Sequence, residues 1–171
     1  MKKIKIFIII LEFVLSFPIH FIHDKFPCFL TSIFFPVNES IWEHMKIIYT
    51  SIVLASIIEY FIYKRKNIST NNFIISIPIS AIFGIIFYLV IYSIISLFVP
   101  HNFFIAIGLM FITYIFSNIV SYFILNKKEI PNQKELGISL ILISYIIFTH
   151  LTYYPPKNYL FIDQLTRTYG V

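Results

Sequence analysis

The sequence predicts an all-α fold, a polytopic transmembrane helical bundle of five spans, and three observations predict it. The first is composition. The 171 residues are 58% hydrophobic and 12% charged, with mean hydropathy +0.85, whereas an average soluble domain is roughly 45–50% apolar and about 25% charged. A soluble chain of this size would leave much of that surface in water, so lipid is the solvent that fits. The second is run length: five apolar runs approach the roughly 20 residues that cross a bilayer core of about 30 Å. The third is that Lys and Arg alternate in abundance between successive connections. Together these exclude a soluble enzyme, a nucleic-acid partner and a disordered chain. The net charge of +5 sits in short clusters between apolar runs, not on one basic face.

The first span, near 4–22, follows Met1-Lys2-Lys3-Ile4-Lys5. This start imitates a signal peptide, but no small-x-small cleavage site follows and Glu12 interrupts the run, so it reads as a retained helix. Pro36 precedes the second span, near 40–63. The third, near 72–99, ends at Pro100, and the fourth covers 101–125. Pro131 separates it from the fifth, near 136–154, which Pro155-Pro156 stops. Pro18 and Pro78 fall inside runs, where a membrane helix tolerates them with a kink. Residues 155–171 form a tail, apolar and aromatic through Tyr159, Leu160, Phe161 and Ile162. It either lies back over the bundle mouth, carrying Asp163 and Arg167 toward the histidines, or rests at the interface without touching them. The lone Cys28 excludes an internal disulfide.

Orientation follows from the basic residues. Lys2, Lys3 and Lys5, then Lys64, Arg65 and Lys66, then Lys127, Lys128 and Lys134 mark alternate connections, which predicts an N-in, C-out chain crossing a bacterial plasma membrane several times. Small residues predict the packing. Ser76, Ser80 and Gly84 stripe the third span and Thr113, Ser117 and Ser121 the fourth, and a three-residue turn should bring them level in the tightest helix pair.

On that topology the polar chemistry gathers at the outer end. His20, His23, His44, His101 and His150 are all outer, with Asp24, Asn38, Glu39, Glu43 and Asp163. The densest stretch is Pro36–Lys46. Asn38 can cap the second span, with Val37 and Trp42 as a hydrophobic staple, or Ser40 can cap it with Glu43 closing a capping box. Trp42 suits an interfacial anchor. Capping leaves Glu39 and Glu43 four apart on one face, continued by Lys46 with His44 beside them. A partly buried carboxylate pair would have one pKa raised, as acid–base catalysis needs. His20, Glu39, Glu43, His44 and Lys46 are therefore the candidate catalytic group, expected to converge with His20 within a side-chain length of Glu43 or His44.

His20, His23 and Asp24, with Glu39, Glu43 or His44, offer a candidate divalent-metal set; the competing reading is hydrogen-bonded histidines at a helix end. Glu12, mid-span, is either a step on a proton or ion path or a protonated carboxyl bonded to a neighbouring Ser or Tyr. Glu59 is expected to pair with Lys64.

Asn38-Glu39-Ser40-Ile41-Trp42-Glu43-His44-Met45-Lys46, His20 before it, and an ending with Tyr154-Pro155-Pro156, Asp163 and Tyr169-Gly170 carry a resemblance. They resemble an uncharacterised family of small bacterial membrane proteins that share an Asn-Glu-Ser-x-Trp-Glu-His-x-Lys segment and a Tyr-Pro-Pro…Asp…Tyr-Gly tail. The resemblance implies a shared role for those positions and supplies no activity. Three functions stay open: a membrane-embedded hydrolase or transferase on a lipid-linked substrate, with Glu39 or Glu43 as acid–base; a small transporter or proton/ion conductor using Glu12; or a non-catalytic assembly subunit.

Overall fold

The computed structural model describes residues 1–99 and 102–171; His101, expected in the outer turn, lies outside the described residues. The chain forms α1 (Lys2–Lys25), α2 (Phe29–Phe34), α3 (Ile41–Arg65), α4 (Phe73–Ser96), α5 (Phe103–Leu125) and α6 (Gln133–Tyr153). Five of these, all but α2, are long and apolar enough to cross a membrane. Pro18 and Pro78 sit inside α1 and α4.

The short α2 was not expected. It forms because Cys28 and Thr31 cap it reciprocally. The Thr31 N–H donates to Cys28 Sγ at 3.5 Å, and the Cys28 N–H donates to Thr31 Oγ1 at 3.1 Å. This is a capping box with sulfur in the place of the usual cap oxygen.

The bundle is apolar outside and partly polar within. Ile6, Phe7, Ile10, Phe116, Phe123, Leu142 and Ile146 are exposed, while Lys5, Glu12, Glu43, Lys46, Glu59 and Asn72 are buried. That inversion of the soluble pattern is what a lipid-facing surface requires.

The most extensive helix contact is α4 on α5. Ser121 Oγ donates to Ser76 Oγ at 3.4 Å, and a Cβ added at Gly84 would meet Ser117 and Thr113, so the small-residue stripes meet in the expected register. Beyond this hairpin, α3 packs on α1 and α4, α6 on α4, and α2 on α6.

Three polar ties fasten the half of the bundle that carries Lys5. Lys5 Nζ lies 2.6 Å from Glu59 Oε1 and donates to Ser121 Oγ at 2.8 Å, joining α1, α3 and α5. Glu59 therefore pairs with Lys5 and not with Lys64, because Glu59 faces inward while Lys64 is exposed. Glu12 accepts a 2.6 Å hydrogen bond from Asn118 Nδ2, so its buried partner is an amide and not a Ser or Tyr hydroxyl. The buried Asn72 donates to the carbonyls of Ile124, Lys127 and Lys128 at 3.0–3.2 Å and accepts the Ile130 N–H at 2.8 Å. It thereby satisfies carbonyls that the end of α5 would leave orphaned.

Candidate histidine–carboxylate site

At the opposite end, the residues before α3 decide the geometry. Ser40 is the cap: its Oγ accepts the Glu43 N–H at 3.2 Å. Asn38 serves the turn instead, accepting the Ser40 N–H at 2.9 Å and donating to the Gly170 carbonyl at 2.9 Å. The capping box does not close, because the Glu43 carboxylate is held elsewhere. Its Oε1 accepts from Thr152 Oγ1 at 2.7 Å, and its Oε2 accepts the Val37 N–H at 3.0 Å and lies 2.8 Å from Lys46 Nζ. Lys46 also donates to the carbonyls of Ser32 at 2.8 Å and Phe35 at 3.4 Å. An ammonium has three protons, and here each has an acceptor.

The expectation that Glu39 and Glu43 share a helical face is corrected. Helix α3 starts at Ile41, so Glu39 precedes it and its side chain is free of the helical repeat. Glu39 turns to the two histidines. Its Oε1 lies 3.4 Å from His20 Nε2, its Oε2 lies 3.4 Å from His44 Nε2, and the two rings stand 5.2 Å apart. His44 Nδ1 donates to the Ser40 carbonyl at 2.7 Å. That carbonyl can only accept, so Nδ1 carries the hydrogen. The hydrogen bond from His44 outweighs burial and holds the Glu39 carboxyl below its ordinary pKa. The raised carboxylate pKa expected of the pair is thus not found at Glu39.

The wider metal set is corrected too. His23 Nδ1 lies 2.8 Å from Thr31 Oγ1, because α2 folds back beside the end of α1. Asp24 is exposed, and Glu43 is committed to Lys46 and Thr152. Among the described residues, the group of metal-ligating atoms lying within 4.8 Å of one another is His20, Glu39 and His44. His150 is exposed beside Tyr154, their rings 5.4 Å apart.

The tail closes over this end. The Trp42 ring stacks on Phe161 at 5.0 Å and lies 5.5 Å from Phe148, and its backbone N–H donates to the Leu160 carbonyl at 2.9 Å. Asp163 folds the tail into a tight turn, its Oδ1 accepting the Leu165 and Thr166 N–H groups at 2.7 and 3.2 Å. Burial pushes the Asp163 carboxyl up, but the backbone hydrogen bonds outweigh it and leave the group below its ordinary value. The turn presents Gln164 and Leu165 to the site, while Arg167 is exposed.

His20, Glu39 and His44 line a cavity of about 470 Å³. Its walls come from α1 (Ser16, Phe17), α3 (Ile47), α4 (Tyr88) and α5 (Ala106, Met110). Nothing in the sequence announced it, since it depends on how four helices meet. Only its polar end was legible, through the common depth of the histidines.

A family of unknown function (DUF6512) matches residues 1–171. The chain belongs to this family. No curated protein and no solved structure matches the chain. Membership in DUF6512 matches the expectation of an uncharacterised family spanning the whole chain and supplies no activity.

Proposed function

We propose that this member of the family is an N-in, C-out enzyme of the cell membrane, a hydrolase or transferase acting on a lipid-linked substrate at the outer leaflet. The observation that supports it is the cavity: an apolar chamber of about 470 Å³ with a His–Glu–His group in its lining. Its volume falls within the roughly 300–1,000 Å³ of small-molecule sites. Apolar walls beside one polar cluster suit an amphiphile, with the chain in the cavity and the reacting head at Glu39. Phe17, Phe21 and Phe103 are exposed around it, between α1 and α5, where a lipid tail would enter from the side. In hydrolysis, a water gives a proton to the imidazole–carboxylate cluster as its oxygen bonds the carbonyl or phosphoryl centre. The cluster returns a proton to the leaving oxygen as that bond breaks. Glu43 and Lys46 brace the site and Glu12 lies outside it, bound to Asn118.

Two measurements test the reading. A photoreactive palmitoyl lipid in nanodiscs should label residues 16–21 and 106–110, and Ala106→Trp, which fills the cavity, should cut labelling several-fold. Cleavage of a palmitoyl nitrophenyl ester should be lost in Glu39→Gln and kept in Glu135→Gln. Labelling that is the same in Ala106→Trp would end the proposal. Reporter fusions after Lys66 and Lys134 should read cytoplasmic and a fusion after Val171 external. A cytoplasmic C-terminus would move the site to the other leaflet.

A further inference from the structure

We infer that His20, Glu39 and His44 form a zinc site whose fourth position opens into the cavity. With its Nδ1 hydrogen given to the Ser40 carbonyl, His44 faces Glu39 Oε2, 3.4 Å away, with Nε2, which carries a proton in the imidazolium and a lone pair in the neutral ring that a metal ion would bind. His20 Nε2 faces the other carboxylate oxygen at the same distance. Two imidazole nitrogens and a carboxylate converge, and either protons on the imidazoles or one shared metal ion balances the carboxylate.

A metal ion fits the spacing. Zinc bonds imidazole nitrogen and carboxylate oxygen at about 2.0–2.2 Å, and a tetrahedron with such arms has edges of about 3.4 Å. Both His–Glu39 separations are 3.4 Å, and all three ligand atoms lie within 4.8 Å of one another. The side chains are 23–36% exposed, so small rotations can bring the two imidazole nitrogens together.

The ligand types select the ion. Magnesium and calcium prefer all-oxygen shells, and two imidazoles with one carboxylate suit zinc or iron(II). Three protein ligands with a vacant position are the pattern of catalytic zinc, whereas structural zinc takes four protein ligands. The bond from His44 Nδ1 to a backbone carbonyl is the outer contact that usually fixes a metal-bound histidine. His20 is oriented by packing instead, its ring 4.7 Å from Phe21 and 5.2 Å from His44. All three ligands line the cavity, so the vacant position faces the place proposed for the lipid head.

Zinc binding itself needs no substrate; its catalytic use rests on the reading given above, with a bound zinc, in place of proton transfer to its three ligands, supplying the activation of water. The protein, purified through an affinity tag without histidine, stripped with chelator and reloaded, should hold about one zinc per chain, as a single three-ligand site requires. Cobalt(II) should give the intense visible bands of a tetrahedral site. Glu39→Gln, which keeps the side-chain shape, and His20→Ala should each weaken binding at least about tenfold, since even outer contacts of a ligand matter on that scale. His23→Ala and His150→Ala should bind as wild type does. Zinc should raise the melting temperature of wild type and not of Glu39→Gln, a readout that requires only folded protein.

Iron(II) retained in preference to zinc would overturn the choice of metal. A wild type that holds no metal, its histidines joined to Glu39 as a protonated ion pair only, would overturn the site. So would zinc retained equally by Glu39→Gln and His20→Ala. Lipid labelling of the stripped protein separates the two ideas. Labelling without metal binding sinks only the zinc site, and zinc binding without labelling sinks only the lipid-linked substrate.

Discussion

Replacing Lys46 with alanine should cost about 3–5 kcal/mol, the usual penalty for breaking a buried ion pair by removing one partner. The pair is fully enclosed: the Lys46 side chain is 0% exposed and that of Glu43 is 2% exposed. Removal of the ammonium leaves the carboxylate buried with only Thr152 and the Val37 N–H as donors, and it leaves the Ser32 and Phe35 carbonyls short of a partner. The consequences spread because the pair joins separate segments. Lys46 reaches α2 and the turn after it, and Glu43 reaches α6. The purified variant should therefore melt far below wild type and expose α2 and the tail to protease. The double variant Glu43→Gln/Lys46→Met should recover part of the loss, since it removes both charges while nearly conserving volume. Equal melting of the single and double variants would show that the pair carries no coupling. Whatever fraction of Lys46→Met folds should keep its lipid labelling, because neither residue lines the cavity.

That pair also shows how far the sequence could be read. The helical spans were legible because each is a long apolar run, and run length is a local property. The convergence of His20 with His44 was legible from depth: both lie near the same end of adjacent helices. The partners of Glu43 and Glu59 were not. Glu43 bonds Thr152, 109 positions away, and Glu59 pairs with Lys5 across the bundle. Spacing arguments see only neighbours on one helix, so they matched Glu39 with Glu43 and Glu59 with Lys64. The first error came from extending the helical repeat to Glu39, which lies before the span placed near 40–63 and before the helix start at Ile41. The α2 helix stayed hidden because its cap is a cysteine. Asn72, buried and serving four backbone groups, carries no local signal beyond being an asparagine before a helix.

The glycines separate these two kinds of information, and Gly137→Ala should be the most damaging glycine-to-alanine substitution in the helices. Gly137 belongs to no small-residue stripe, yet a Cβ there would stand 2.6–2.8 Å from the backbone atoms of Ile74 and Ile75 in α4. Backbone cannot rotate away, so α6 must move off α4, and overpacking of this kind costs roughly 1–3 kcal/mol and sometimes more. At Gly84, the stripe position, the nearest obstacle is the Ser117 hydroxyl, with the Thr113 methyl at 3.3 Å. Both are side-chain ends, and the hydroxyl can turn aside, so Gly84→Ala should cost less, while Gly84→Leu should force the α4–α5 backbones apart. A Cβ at Gly108 meets nothing within 4 Å, so Gly108→Ala should gain roughly the 0.5–1 kcal/mol by which alanine outperforms glycine inside a helix. Melting temperatures in one detergent should fall in the order Gly108→Ala, Gly84→Ala, Gly137→Ala. A Gly137→Ala protein as stable as Gly108→Ala would mean that α6 does not approach α4 this closely. The wall that carries Thr152 to Glu43 would then have to be placed differently.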